Sequence, residues 1–322
     1  MVSTPIRYFD IAFNATDSMF QGKYHGKVKH ASDLKAVVLR AKEAGVRTMM
    51  FTGGSLSESK EALELAEEYG AYSTAGIHPT RASEMDSDPK GYLARLSDLI
   101  RQGKGDGKGK GRIIAIGECG LDYDRLHFSP ISSQIPHFEL QLSLASEHSL
   151  PLFLHSRAAH QDFLRIMRDH QAKWAPSGGV VHSFTGPKNE MEDMIQLGLF
   201  IGINGCSLKT EEGLDMVKAL PLDKLLLETD APYCSITTSH ASNVHLQSLP
   251  PALQELYSPP ANKPEKFKEG QAVKSRLEPC GIGRVAWVVA NVKGISLEEV
   301  AQAAWENSVK LFKLQDEETL EA

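Results

Sequence analysis

The sequence contains no long hydrophobic run. No apolar stretch approaches the roughly 18 residues that a membrane-spanning helix needs. Residues 1–10 also lack the basic region and apolar core that mark a secretory signal. We therefore expect a protein of the cytoplasm, the nucleus or both, without a membrane partner.

Cysteine is scarce, with 4 residues in a chain of 322, widely spaced and without a Cys-x-x-Cys pair. This usage is typical of compartments where thiols stay reduced, so it argues against a disulfide framework and against a zinc site built from cysteine. Cys119 lies beside a candidate ligand, Glu118, but a small residue there is more simply explained by packing.

The chain also lacks an excess of positive charge, because 41 Asp and Glu outnumber 35 Lys and Arg and give a formal net charge of −6. An acidic chain has no global attraction for phosphate backbones. Contact with nucleic acid must then come from a local cluster of basic residues or from a metal ion, and the charge argues against a protein that merely coats DNA.

What the chain does contain is an alternation of short β-rich runs with amphipathic helical stretches. One helical stretch begins with a predicted capping box of Ser55 and Glu58 and ends at Gly70. The predicted strands are Arg7–Asn14, Val46–Thr52, Ala71–Ile77, Arg112–Gly117, Pro151–His155, Gly179–His182, Leu199–Asn204 and Lys224–Glu228.

Eight strand and helix units favour an α/β fold of the (β/α)₈ TIM-barrel type, built as one domain over residues 1–322. Strands such as Ile113–Ile116 and Leu225–Leu227 are continuously apolar, as expected when helices cover both faces of a parallel sheet. An open doubly wound sheet also fits the alternation. However, no Gly-x-Gly-x-x-Gly fingerprint follows the first strand.

Two segments interrupt this pattern. Residues 102–111 form a Gly- and Lys-rich run that is too polar to pack, so we expect a mobile surface insertion. Residues 256–279 follow the eighth strand, and their centre, Ser258–Ser275, is rich in Pro and Lys. Barrel enzymes often place substrate-binding loops there, so this segment is a candidate functional loop.

Ionisable side chains recur at the ends of the predicted strands. In a closed parallel barrel these ends meet at one rim, where the active site belongs. Each residue alone is more simply a solvated histidine or a helix cap, but together they predict a site that suits Zn²⁺ or Mn²⁺ and leaves positions for water. The strand-end residues are His78, Glu118, His155, His182 and Asp230.

Arg157 lies two residues beyond His155 on the fifth strand. Its guanidinium group can bind a phosphate through two parallel hydrogen bonds. A structural ion pair is the alternative interpretation.

Around these residues the chain resembles the TatD family of metal-dependent deoxyribonucleases. The resemblance extends over nearly the whole chain in order, and its third and last blocks are highly specific. The matching blocks are Phe9–Thr16 (FDIAFNAT), Gly76–Pro79 (GIHP), Ala115–Asp122 (AIGECGLD), Leu152–Arg157 (LFLHSR), Val181–Gly186 (VHSFTG), Ile201–Gly205 (IGING) and Leu227–Tyr233 (LETDAPY).

The resemblance implies a TIM barrel that hydrolyses phosphodiester bonds, commonly as a 3′–5′ exonuclease on DNA, with RNA as an alternative substrate. It implies one or two divalent ions, Mg²⁺, Mn²⁺ or Zn²⁺, held by Glu118, His155, His182 and Asp230. Asp230 is also expected to accept a proton from the attacking water. His78 is expected to act in catalysis beside it, and Arg157 to bind the substrate phosphate.

The chain departs from the family pattern in two places. Many members carry His-x-His on the first strand, where this chain has Asn14-Ala15-Thr16. Asn14 offers only a weak oxygen ligand, so a second ion is not assumed, and Asn14 is taken as a substrate-binding candidate. The segment Arg276–Pro279 (RLEP) replaces the usual RNEP and retains Arg276, a further substrate-binding candidate.

Two other functions compete with the nuclease. The same barrel and ligands serve lactonases and amidases of the amidohydrolase type, which often bridge two metals with a carboxylated lysine. Glu118 stands where such a lysine would be expected, which favours phosphodiesters. A non-catalytic nucleic-acid-binding protein is the remaining alternative, and the complete ligand set argues against it.

Overall fold

Eight strands form the central sheet of the protein, whose computed structural model describes residues 6–105 and 111–314. Their order in the sheet is their order in the sequence, and the strands run parallel. We number them β1 Tyr8–Phe13, β2 Val46–Phe51, β3 Tyr72–Ala75, β4 Ile113–Asp122, β5 Leu152–Arg157, β6 Gly179–Val181, β7 Phe200–Ile203 and β8 Leu225–Leu227.

Helices connect successive strands, as the sequence pattern predicted. Long helices follow β2, β3 and β4, and two more long helices come after the loop that follows β8. The α-helices are α1 Leu34–Glu43, α2 Leu56–Tyr69, α3 Pro89–Gly103, α4 Ile131–His148, α5 His160–Asp169, α6 Gln171–Trp174, α7 Lys188–Gln196, α8 Glu211–Ala219, α9 Asn243–Leu246, α10 Pro251–Tyr257, α11 Ile282–Lys293 and α12 Leu297–Phe312.

The first strand also pairs with the segment that follows the last one. A parallel bridge joins Phe13 to Ala231, and the Asn14 amide donates a hydrogen bond to the Ala231 carbonyl at 2.9 Å. With the sequential strand order, this bridge makes the sheet a nearly closed barrel, as expected for a (β/α)₈ fold. The predicted fold class is confirmed.

The described residues pack as two compact units. The first comprises residues 6–49 and 202–309, and the second comprises residues 50–105, 111–201 and 310–314. One domain over residues 1–322 stays a prediction.

In the second unit, β4 is longer than the sequence pattern indicated, since it continues past Gly117 to Asp122 and all ten residues are buried. Two glycines let it lie against β5. Gly117 and Gly120 have φ values of 148° and 143°, and a Cβ atom at Gly120 would lie 1.9 Å from the His155 carbonyl oxygen. Only glycine tolerates both conditions, so these positions fix how closely the two strands approach.

Helix α2 confirms half of the predicted capping box. The Ser55 hydroxyl accepts a hydrogen bond from the Glu58 amide at 3.2 Å, and Gly70 ends the helix with a φ of 70°. The Glu58 carboxylate bonds instead to Arg81 at 2.9 Å. The prediction that the Glu58 side chain completes the capping box was therefore wrong, because this side chain bonds to the charged group of Arg81 on the following segment.

In the first unit, the buried carboxyl of Asp10 on β1 bonds to Thr229, just after β8. Its Oδ1 accepts from the Thr229 amide at 2.8 Å and its Oδ2 from the Thr229 hydroxyl at 2.5 Å. Burial raises the pKa of Asp10 to about 8, although these hydrogen bonds act in the opposite direction.

The two predicted insertions have different outcomes. Residues 102–103 belong to the last turn of α3, and residues 106–110 lie outside the described part of the chain. Between residues 256 and 279 only short elements form, among them the two-residue parallel pair of Ala261–Asn262 and Ala272–Val273.

Among the described residues, no helix is both long and apolar enough to cross a membrane.

Candidate metal centre

Three imidazole groups contact one carboxylate oxygen in the second unit. Glu118 Oε1 lies 2.6 Å from His182 Nε2, 2.8 Å from His155 Nδ1 and 3.2 Å from His78 Nε2. His78 follows β3, Glu118 and His155 lie within β4 and β5, and His182 follows β6 directly. Four neighbouring strands therefore bring together four of the five strand-end residues that the sequence singled out.

Glutamine side chains of α4 hold the backbone around this cluster. Gln141 accepts from the Ile77 amide at 2.7 Å and donates to the Ile77 carbonyl at 3.1 Å, immediately before His78. Gln134 makes the same pair of bonds with Asp122, at 2.8 and 2.9 Å. Because all these groups are buried, the bonds fix the positions of His78 and Asp122.

The protonation states of Glu118 and His78 suit a cation. Burial opposes ionisation of Glu118, but the charges that His182 and His78 carry when protonated and the hydrogen bonds from His155 and His182 outweigh burial and hold its pKa well below the ordinary value. Burial also lowers the pKa of His78, so this ring is neutral at pH 7. Neutral imidazole and carboxylate are the forms that bind divalent ions.

His155 has a second acidic neighbour that the sequence analysis missed, Asp122. Asp122 Oδ2 lies 3.3 Å from His155 Nε2, the nitrogen opposite the one that faces Glu118. Burial lowers the pKa of His155, but its contacts with Asp122 and Glu118 outweigh burial and raise it. A signal was present in the sequence, because Glu118, Gly120 and Asp122 alternate and so share one face of a strand.

Arg157 ends β5 with a side chain that is 35% exposed. Its Nη1 lies 3.6 Å from Asp122 Oδ2, beyond hydrogen-bond distance. The guanidinium group therefore keeps donors for a further anion, and the predicted phosphate contact of Arg157 stays a prediction.

The donor set fits a divalent ion. Ligand atoms of His78, Glu118 and His155 all lie within 4.8 Å of one another, and all three residues are at least four-fifths buried. Imidazole nitrogen and carboxylate oxygen are the donors that Zn²⁺ and Mn²⁺ accept.

Asp230 and Asn14 form a separate pair in the first unit. Asn14 Nδ2 donates to Asp230 Oδ1 at 2.8 Å, and Cys234 Sγ donates to Asp230 Oδ2 at 3.3 Å. The Asp230 backbone has a φ of 55°, an uncommon conformation that is often found at functional sites. The roles predicted for Asp230 and Asn14 stay predictions.

Arg276 is buried in the first unit and bonds to two carboxylates. Its Nη1 and Nη2 donate to Asp33 at 2.6 Å each, and Nη2 also donates to Glu278 at 2.9 Å. Arg40 binds the same Glu278 at 2.7 Å. These contacts favour a structural role for Arg276. The predicted contact of Arg276 with the substrate stays a prediction.

Cys119 is fully buried beside Glu118, and burial raises the pKa of its thiol. A thiol that resists ionisation is a poor nucleophile, in agreement with the packing role expected from the sequence.

The family model described as TatD related DNase matches residues 9–313. A "Deoxyribonuclease Tat-D" of Schizosaccharomyces pombe is 46% identical over 311 residues, which cover 95% of this chain and 96% of that protein. A "3'-5' ssDNA/RNA exonuclease TatD" of Pantoea vagans is 36% identical over 313 residues, covering 95% of this chain and 99% of that protein.

Two solved structures superpose on nearly the whole chain. A hydrolase TatD family protein from Entamoeba histolytica superposes with a TM-score of 0.85 at 32% identity, covering 96% of this chain and 99% of that one. An uncharacterized amidohydrolase from Saccharomyces cerevisiae gives a TM-score of 0.85 at 35% identity, covering 95% of this chain and 100% of that one.

Proposed function

This chain belongs to the TatD related DNase family, and on that premise we propose that it is a metal-dependent 3′–5′ exonuclease acting on single-stranded DNA. RNA is a second substrate of the same chemistry, since the Pantoea vagans relative is named for both. The four free thiols favour a reducing compartment, the cytoplasm or the nucleus.

The observation that carries this proposal is the convergence of three imidazoles on Glu118 Oε1. Glu118, His155 and His182 would hold the ion, Mg²⁺, Mn²⁺ or Zn²⁺. When bound, the ion lowers the pKa of water towards about 7 and polarises a phosphoryl oxygen, which supplies the hydrolytic chemistry. Asp122 would keep His155 turned so that Nδ1 faces the ion, as carboxylate partners of histidine ligands commonly do.

We assign His78 to the substrate rather than to the ion. Its Nδ1 accepts a hydrogen bond from the Thr80 amide at 3.1 Å and lies 2.6 Å from the Thr80 hydroxyl. These donors keep the proton of the neutral ring on Nε2, the atom that faces Glu118. A protonated Nε2 is a donor, so His78 is suited to stabilise charge on a phosphate oxygen.

Asp230 is the proposed proton acceptor for the attacking water and a further ligand. The 2.8 Å bond from Asn14 fixes one carboxylate oxygen and gives Asn14 a positioning role. Arg157 is the proposed phosphate contact, because its side chain is half-buried and retains donors.

The test uses oligonucleotides labelled at the 5′ or the 3′ end, incubated with purified protein with and without chelator. We expect stepwise shortening from the 3′ end that stops with chelator and returns with added Mg²⁺, Mn²⁺ or Zn²⁺. Hydrolysis of lactone or amide substrates without oligonucleotide cleavage would indicate an amidohydrolase. Binding of DNA without any cleavage would indicate a non-catalytic protein.

Asp230→Asn tests the general base. The amide keeps one oxygen for the ion but accepts no proton, so we expect part of the metal occupancy to survive and the rate to fall by roughly 10²–10⁴-fold. Metal content by mass spectrometry and the cleavage rate are measured on the same sample. Loss of metal and rate together would make Asp230 chiefly a ligand, and retention of both would exclude either role.

A further inference from the structure

A cavity of about 340 Å³ lies beyond the carboxyl end of β5 in the second unit. This volume falls within the roughly 300–1,000 Å³ of small-molecule sites. Its walls are the small side chains of Ala158 and Ala159 together with a set of polar groups. The polar groups belong to Tyr123, His160, Gln161, Asp162 and Glu190.

His160 is the buried polar group of this cavity that lacks a partner on one side. Its Nε2 bonds to Asp193 Oδ2 at 2.9 Å, and its side chain is only 10% exposed. Its Nδ1 makes no hydrogen bond with the described residues and lies 3.8 Å from Glu190 Oε2, too far for a bond. In the neutral ring, the acceptor Asp193 selects the tautomer that carries its proton on Nε2, which leaves a lone pair on Nδ1 beside the Glu190 carboxylate.

The remaining polar wall is also acidic and is held in place. The Tyr123 hydroxyl donates to Asp162 Oδ2 at 2.8 Å, and Arg165 donates to Asp162 Oδ1 at 3.2 Å. These bonds fix the Tyr123 ring at the edge of the cavity. A cavity with several hydrogen-bond acceptors and an aromatic wall fits a flat ligand that carries N–H donors.

A single metal ion fits this cavity less well. Among residues 6–105 and 111–314, only His78, Glu118 and His155 bring three ligand atoms within 4.8 Å of one another. The acceptors around His160 are therefore more widely separated than the ligands of one preformed ion site. The space between them suits a larger ligand.

Chain continuity links the cavity to the candidate metal centre. Tyr123 follows Asp122 at the end of β4, and Ala158 follows Arg157 at the end of β5, while Asp122 and Arg157 lie 3.6 Å apart. Ala158 has a φ of 52°, a backbone conformation that is uncommon for a non-glycine residue. A nucleotide whose phosphate contacts Arg157 would have its base within reach of the cavity.

We propose that this cavity binds the base of the terminal nucleotide and favours bases that carry an exocyclic amino group. His160 Nδ1 and Glu190 accept from the amino group, and the base stacks on Tyr123. Cytosine is then preferred over uracil, whose carbonyl oxygen would face the two acceptors. The inference rests on the proposed exonuclease function and names a specificity determinant for it.

The first experiment compares oligonucleotides that end in a 3′ dC or a 3′ dU, which differ only in the amino or carbonyl group at C4 and in the proton on N3. We expect kcat/KM to be higher for dC by roughly 5- to 100-fold, the range that one good base contact supports. Glu190→Gln replaces an acceptor atom with a donor, and we expect it to bring the ratio towards one.

Glu192→Gln is the matched control, since Glu192 lies on the same helix α7 and its exposed side chain faces Lys188 at 3.6 Å. We expect it to retain the wild-type ratio. Circular dichroism and the Tm of each variant establish that it is folded. An unchanged ratio in folded Glu190→Gln, or a wild-type ratio of one, would overturn the proposal.

The second experiment separates this proposal from the nuclease itself. The wild type and both variants are titrated calorimetrically with dCMP and dUMP. Tighter binding of dCMP, lost in Glu190→Gln, supports the base cavity even if no oligonucleotide is cleaved, an outcome that would count against the proposed function alone. Equal affinities for dCMP and dUMP would overturn the inference, as would saturable Mn²⁺ binding at Glu190 without any preference between the two nucleotides.

Discussion

At the scale of the residue, His78 and its histidine neighbours contact the same oxygen but differ in their hydrogen bonds. Thr80 donates to His78 Nδ1, whereas His155 places its second nitrogen near the carboxylate of Asp122. A carboxylate that faces one ring nitrogen favours a histidine whose other nitrogen binds a metal ion. A hydrogen-bond donor that faces one ring nitrogen favours a histidine that keeps its proton on the other nitrogen, which faces the site. Contact distance alone therefore does not define the role of each histidine.

His78→Ala distinguishes these roles. We expect it to retain the metal ion and to lose roughly 10²–10³-fold in kcat, as when one stabilising donor is removed from a transition state. His182→Ala should lose both the ion and the activity. His170→Ala, at the C-terminus of α5, is the control and should change neither. The measurement is metal content together with kcat, and a metal-free His78→Ala protein would reassign His78 as a ligand.

Metal affinity should depend on pH around neutrality. The pKa of His155 is raised by Asp122 and Glu118, so in the ion-free protein this ring retains a proton at a pH where a free histidine has lost it. Since the ion binds the neutral ring, protons compete with it, and affinity should rise as pH increases from 6 to 8. Titration with Mn²⁺ or Zn²⁺ at both pH values measures this, and an affinity independent of pH would contradict the ligand role of His155.

At the scale of the element, β4 determines where the site residues lie. The sequence predicted a strand that ended at Gly117, with Glu118 just beyond it, whereas the strand continues to Asp122. Gly117 and Gly120 have the signature of a turn, but they serve the close approach to β5. A glycine alone does not tell these two uses apart in a single sequence, which is why Asp122 was missed.

Gly120→Ala should damage the protein more than an ordinary glycine substitution. Its Cβ would overlap the His155 carbonyl oxygen in addition to straining the backbone, so we expect a loss of several kcal/mol in the free energy of unfolding or failure to fold. Gly198→Ala is the control, because Gly198 has a φ of 92° but open space around it, and it should lose about 1 kcal/mol. Urea unfolding of both variants tests the comparison, and equal losses would argue against the clash.

Much of the fold was predictable because it depends on local patterns. The apolar runs at Ile113–Ile116 and Leu225–Leu227 are buried as predicted, since a strand covered on both faces needs no distant information. The bonds of Arg276 to Asp33 were not predictable, because they join residues 243 positions apart. The cavity beside His160 was missed for the same reason, as it combines the ends of two strands with Glu190 of α7.

At the scale of the whole molecule, Asp10 links the first strand to the segment after the last. Its folded pKa of about 8 lies above the ordinary aspartate pKa of 3.8, so between these pH values the folded chain binds a proton that the unfolded chain has released. The stabilisation is thus fully present below about pH 4 and is lost as pH rises towards 8. Burial of the carboxylate opposes folding in alkaline solution.

Asp10→Asn should remove this dependence. The ion-free wild type should lose a few kcal/mol of unfolding free energy relative to the variant between pH 5 and pH 8, because the amide is neutral throughout. Asp223→Asn, at an exposed position, should behave like the wild type. Urea unfolding at the two pH values provides the measurement, and parallel curves for wild type and Asp10→Asn would show that Asp10 is ionised in the folded state.

The bridge between Phe13 and Ala231 forms only after the ribosome has synthesised both residues. The neighbouring bond from Asn14 to Asp230 joins residues 216 positions apart, so at 5–20 residues per second the first strand waits roughly 10–40 s for its last partner. During that interval one edge of β1 has no neighbouring strand in the nascent chain. Until translation passes Ala231, that edge presents unpaired N–H and C=O groups that can pair with another chain, and slower translation before that codon lengthens the exposure.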